Sequence, residues 1–214
     1  AKLARDADAA VAEAAIRALG KIATESAAKE IAALRKEANP TCQRALADAS
    51  LRCAAQLADS GKAKAAARIY EELLARSQPA NVRRGAFIAL TRLDPDGGEQ
   101  RILETLRNGD ALMKPVAIAA VRSLPSETAS ETFARELPAL TNAEKVWLIE
   151  SLAARGDAPA RAAIIGSLES PDAGVRRAAA AALGHLGGAT AVRPLAQTLA
   201  TAKDSEEIRE LGSA

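Results

Sequence analysis

Aromatic side chains are nearly missing from this 214-residue chain, which has one Trp, one Tyr and two Phe. Histidine occurs once, as His185, and cysteine twice, as Cys42 and Cys53. A pocket that holds a large conjugated pigment, or a surface that stacks bases, needs more rings than these. β-Branched residues are also few, which disfavours sheet. No long apolar run exists either. The longest stretch free of Asp, Glu, Lys and Arg is Ala178–Val192, fifteen residues rich in Ala and Gly, against the roughly 18 strongly apolar residues of a membrane span. Charge of one sign is not in excess: 29 Lys+Arg face 27 Asp+Glu, a formal net charge of +2. Nucleic-acid domains cluster a larger basic excess, so a protein partner is expected and nucleic acid is not.

The two cysteines stand eleven positions apart. On one helix that is roughly 16 Å at about 1.5 Å per residue, beyond the ~7 Å a disulfide spans. Free thiols packed as small apolar groups are expected. The N-terminus, AKLARDADAA, has no initiator Met and no apolar signal core. It reads as an excerpt of a longer chain, a monomer in isolation, with cytoplasm and periplasm both left open.

What is abundant is alanine. Ala occurs 55 times, and hydrophobic residues reach 49% of the chain. Such a composition favours helix throughout. The sequence also repeats. The clearest unit is SPDAGVRRAAAAALGHLGGATAVRPLAQTLA, from Ser170. Counted from Asp172, it aligns without gaps on segments that begin at Thr141, Asp110 and Pro79, at successive spacings of 31 residues. Leu19, Leu57, Leu90, Val121, Leu152 and Leu183 close the first helices. Ile31, Ile69, Ile102, Phe133, Ile164 and Leu195 recur in the second helices, followed four residues on by Leu73, Leu106, Leu137, Leu168 and Leu199. Arg35 breaks that last column. Residues at i and i+4 share one helical face.

The pattern predicts first helices near 8–20, 43–58, 79–92, 110–123, 142–154 and 172–185. Second helices are predicted near 25–37, 62–76, 98–107, 127–138, 158–168 and 189–200. Asp8, Asp110, Thr141 and Asp172 fit N-caps, and Gly20, Gly61, Gly156 and Gly187 fit turns. Small residues recur at the helix contacts, as Ala15, Ala86, Ala117 and Ala179, and bring helix axes close. The fold class is all-α, an α–α superhelix of about six helix pairs forming one domain over 1–214. Its units lie near 5–38, 41–77, 79–108, 110–139, 141–169 and 171–202, and 204–214 reads as the start of a seventh. Each pair cannot cover its apolar stripe alone and stacks on the next.

Asp172, Val175, Arg176, Ala179, Ala182, Leu183, Gly184, Val192, Pro194 and Leu195 resemble the HEAT-like repeats of the phycobilisome-lyase type. Asp8, Val11, Ala15, Ala18, Leu19 and Gly20 match the first half of that pattern, as do Val82, Arg83, Ala86, Ala89 and Leu90. One unit departs: in residues 43–78, Gly61, Ala66 and Tyr70 look like the second half of a tetratricopeptide repeat. The resemblance implies a solenoid used as a scaffold or adaptor. Two further uses are carried by resemblance alone, bilin attachment in the lyase manner and nucleic-acid binding like that of helical-repeat glycosylases. The scarcity of rings weighs against both.

Arg83, Lys114, Lys145 and Arg176 form a cationic column in the repeat period. A phosphate-tracking stripe is one reading. A ladder of inter-repeat ion pairs to first-turn acids such as Asp110 and Asp172 is the other, and four cations with a net charge of +2 favour it. His185 lies in a glycine turn without the partners a general base or metal ligand needs. Asp94, Asp96 and Glu99 crowd the segment LDPDGGEQ, yet the distant Glu of a calcium loop is missing. Asp-Pro and Gly-Gly are ordinary turn formers, so a turn is expected. Phe87, Phe133 and Trp147 are expected to pack. No catalytic residue, metal or cofactor is assigned. Partner contacts are placed on the concave, second-helix side, at Arg68, Glu72, Arg101, Glu104, Arg135 and Arg161, charged positions that flank the buried columns.

Overall fold

The computed structural model describes residues 2–37, 40–201 and 209. Among them the chain is all-α, and its twelve helices alternate in sequence as six pairs. None is long and apolar enough to cross a membrane. The segment read as a seventh unit lies, apart from Arg209, outside the described residues.

The helices fall into two compact units, Ala1–Asp94 and Pro95–Ala214. In the first unit a 3-10 turn (Lys2–Arg5) leads to α1 (Ala9–Ile22) and α2 (Glu25–Lys36). A second 3-10 turn (Pro40–Cys42) opens α3 (Gln43–Asp59), followed by α4 (Ala63–Leu73) and α5 (Ala80–Leu93). The long α3 packs against all four other helices, most closely α1 and α4. One apolar cluster fills the space between them and includes Ile16, Ile31, Leu46, Leu57, Leu73 and Leu90. Both cysteines are free and buried in it. Burial pushes the Cys53 thiol up from its usual pKa, which keeps it protonated.

The second unit begins with α6 (Pro95–Asn108), α7 (Met113–Val121) and a short α8 (Ala129–Ala134). A 3-10 turn (Leu137–Ala139) precedes α9 (Asn142–Ala153), α10 (Ala158–Ser167), α11 (Ala173–Leu186) and α12 (Ala189–Thr201). α7, α9 and α11 lie side by side as one layer, and α8 and α10 pack together as the second. The apolar columns supply the core. Ile102, Val121, Phe133, Leu152, Ile164 and Leu183 are all essentially inaccessible.

Side-chain caps start many of these helices. Asp8 accepts the Ala10 amide at 2.8 Å, and Asp172 accepts Val175 N at 2.9 Å. Thr141 forms a reciprocal box with Glu144, which satisfies two otherwise orphaned donors. Thr24 and Asp157 cap α2 and α10 in the same way as Asp172 caps α11, although the repeat columns do not mark them. Asp110 accepts the Met113 amide at 3.0 Å, so α7 begins three residues later than its pattern suggests.

Four expectations need correction. Gly20 is no turn residue: it lies inside α1 and is buried, and the helix ends at Ala23 with φ 49°. A Cβ on Gly20 would stand 2.9 Å from Ala49 Cα, so glycine is there for a close backbone approach between α1 and α3. Consequently α1 buries Ile16 and Gly20 rather than Ala15 and Leu19, a register one residue along. The LDPDGGEQ segment is not a free turn, because α6 already starts at Pro95, a residue suited to the first helical position. The helix expected over 127–138 is broken into α8 and a 3-10 turn. Pro138 lacks an N–H and disfavours α geometry at Leu137. Lastly, Trp147 is 41% exposed on α9, whereas Phe87 and Phe133 are buried.

Candidate functional site

The charged positions on the second helices are largely engaged within the chain. Glu72 on α4 pairs with Arg35 of α2 at 3.7 Å. Burial pushes the Arg35 guanidinium down and Glu72 partly offsets it. Glu104 accepts from Gln100 at 3.0 Å, and Arg135 pairs with Glu131 one turn back on α8. Arg161 donates to the Leu186 carbonyl at 3.4 Å. Arg101 is half-buried and also engaged. Arg68 stands exposed on α4, without a partner among the described residues. The six therefore do not converge. They sit in two separate units, beside the buried columns that the pattern placed them next to.

Neighbouring repeats are tied by other charges. Arg107, at the end of α6, grips Glu136 beyond α8 through two hydrogen bonds of 2.9 and 2.5 Å. That contact holds the Glu136 carboxyl below its ordinary pKa. In the first unit Lys62 pairs with Glu25 of the preceding repeat at 3.6 Å, while Arg5 reaches Glu30 and Glu37 within its own repeat.

The cationic column divides by partner. Arg83 donates to the Leu74 carbonyl at 3.2 Å. Lys114 pairs with Glu144 of the next repeat at 3.4 Å, and Glu144 is itself the capping-box residue. Arg176 donates to the carbonyls of Ser170 and Pro171 at 2.8 and 3.0 Å. Asp172, besides capping α11, receives the Asn142 amide of the preceding repeat at 2.8 Å. Lys145 differs: among the described residues it has no partner.

The densest polar cluster centres on Arg155, in the turn between α9 and α10. Its side chain is 8% exposed. It donates to the carbonyls of Leu124 and Ser126 at 2.7 Å each, to Val121 O at 3.2 Å and to Ser130 Oγ at 2.7 Å. Ser130 in turn donates to Asp157 at 2.5 Å, and Asp157 lies 3.4 Å from Arg155. Partial burial pushes the Asp157 carboxyl up, yet Ser130, the Ala160 amide and Arg155 outweigh it and hold it low. All three guanidinium nitrogens are engaged, so this is a clamp between two repeats and leaves no reactive group free. Arg155 aligns at the 31-residue period with Leu124 and Leu186, so no column betrays it. Asp157, after a glycine and two residues before Pro159, carries a readable start signal.

A recess of about 350 Å3 opens in the second unit at the ends of α8 and α10. Leu137, Pro138, Ala163 and Val175 form apolar walls, and Lys145 and Glu169 supply the charge. No spacing along the chain marks it, because its walls come from three successive repeats. His185 is exposed in the last turn of α11, and among the described residues no three His, Cys, Asp or Glu side chains form a metal-holding group.

Comparison with known proteins is informative at one point. Residues 141–213 match the family model of HEAT repeats. That stretch is similar to HEAT repeats. The match takes in α9 to α12, with Arg155, Lys145 and the clearest sequence repeat, but not Leu124, Ser130 or Leu137 on the other side of the clamp and the recess. No curated protein matches the sequence. The crystal structure of an engineered protein aligns over 100% of this chain and 92% of its own, at 20% identity and a TM-score of 0.27. A score that low carries no argument about fold or use.

Proposed function

We propose that this HEAT-like chain is a noncatalytic scaffold or adaptor that binds a protein partner along its second-helix layers. The observation that carries the reading is the division of labour on those helices. In the first unit Leu73 is buried and Ile69 half-buried, with Arg68 and Glu72 beside them; in the second Ile102, Leu106, Ile164 and Leu168 are buried, with Arg101, Glu104, Arg135 and Arg161 at flanking positions. Mixed-charge surfaces select partners by charge complementarity more than by buried area. Inter-repeat clamps such as Arg155 and Arg107–Glu136 keep the layers in register, which lowers the ordering cost of binding.

We also assign the repeats to the phycobilisome-lyase variety of HEAT-like units. Asp172 as cap, Arg176 on the preceding loop, and buried Ala179, Ala182 and Leu183 support that assignment. The test is capture from an extract of the source cells with wild-type protein and with Arg68→Glu/Arg135→Glu, both exposed positions. Loss of wild-type-specific partners in the variant supports the second-helix surface. Identical capture by the two proteins rejects it.

A further inference from the structure

The recess beside α8 and α10 holds two charges that no part of the chain neutralises among the described residues. Lys145, half-buried in the first turn of α9, and Glu169, exposed in the loop after α10, both line it. Neither has an ion-pair partner among those residues, and they do not pair with each other within 4.0 Å. Lys145 is the exception in its column, since Arg83, Lys114 and Arg176 all hold partners within the chain. It is also half-buried against apolar walls, where an uncompensated ammonium is unfavourable.

The frame around these charges is fixed. The start of α9 is held by the Thr141–Glu144 box, and Arg176 clasps the Ser170 and Pro171 carbonyls of the loop that carries Glu169.

Gly166 adds an independent sign. It also lines the recess, inside α10, where glycine is destabilising relative to alanine. Its backbone is helical rather than left-handed, and a Cβ there would meet nothing within 4 Å. Neither conformation nor packing requires glycine at this position. It is exposed at the recess.

We propose that the recess binds a free α-amino acid with an apolar side chain, its carboxylate on Lys145, its ammonium on Glu169 and its side chain against Leu137, Ala163 and Val175. A zwitterion answers both charges at once, and the volume lies at the small end of ligand sites. The recess lies at the ends of second helices, but none of the six charged positions proposed for partners lines it, so the two proposals can fail independently.

The test is equilibrium dialysis and calorimetry on the full chain with L-leucine. Saturable binding is expected, with leucinamide and N-acetyl-leucine each weaker by about tenfold or more because each lacks one charge. Lys145→Met is expected to weaken leucine binding by at least about tenfold, Lys145→Arg to retain it, and Gly166→Leu to abolish it by filling the recess. Thermal unfolding of each variant confirms folding, and Lys145→Met decides the outcome if Gly166→Leu does not fold. Absence of saturable binding overturns the proposal. So does N-acetyl-leucine equal to leucine, which points to a carboxylate-only site, or Lys145→Met equal to wild type.

Discussion

At Gly20 a Cβ would stand 2.9 Å from Ala49 Cα and 3.0 Å from the Ala49 carbonyl oxygen. Backbone atoms cannot rotate aside, so Gly20→Ala must push α1 off α3. A loss of about 1–3 kcal/mol is expected, as for other overpacked contacts. Gly166→Ala has the opposite sign, because its Cβ enters open space, and a gain of about 0.5–1 kcal/mol is expected. Urea unfolding of both variants checks the pair. Arg155 sets a larger scale. Arg155→Met leaves Asp157 partly buried without its cation and frees three carbonyls. A loss of about 3–5 kcal/mol is expected, read by the same unfolding measurement. A loss below about 1 kcal/mol would mean that water replaces the guanidinium without penalty. None of these weights is visible in the repeat columns. Gly20 resembled a turn glycine, and Arg155 has leucines at the corresponding places in its neighbours.

At the scale of the helix, caps and inter-repeat pairs decide when each element holds. Thr141→Ala removes one half of the box that starts α9, and a loss of about 1 kcal/mol is expected in thermal unfolding. Three carboxylates of the second unit, Glu136, Glu144 and Asp157, have pKa values below their ordinary ones. For Glu144 partial burial acts upward, and the Thr141 bonds and Lys114 outweigh it. Lowered folded-state values mean that the unfolded chain takes up protons first as pH falls. Stability from these groups is full above the ordinary carboxylate pKa of about 4 and drains away below it. Glu136→Gln is expected to reduce stability at pH 7 and to flatten the acid limb. Unfolding free energies measured between pH 3 and 7, about the span of that limb, check this. An unchanged slope would remove Glu136 from the account. Most helix positions were legible in the sequence because apolar spacing and caps are local signals. The late start of α7 and the split of α8 were not. Each turns on where a backbone donor finds its acceptor, at Asp110 and around Pro138.

The apolar cluster of residues 1–94 runs from Ala4 to Leu90 and joins all five helices of that unit. A unit with its own core can fold alone. Expressed by itself, residues 1–94 are therefore expected to give a helical spectrum and one cooperative urea transition. A featureless, gradual melt would show that this unit depends on residues 95–214 for its stability.

The class of fold was determined by sequence alone, because helical periodicity at a fixed repeat is a one-dimensional property and burial tracks it. The buried columns at Val121, Leu152 and Leu183 needed no coordinates to be named. The tertiary structure alone decided which charges remain unanswered. Lys114 and Lys145 occupy the same place in successive repeats, yet one meets Glu144 and the other lines an apolar recess. That difference depends on distances between side chains far apart in the chain, which no spacing along the sequence encodes.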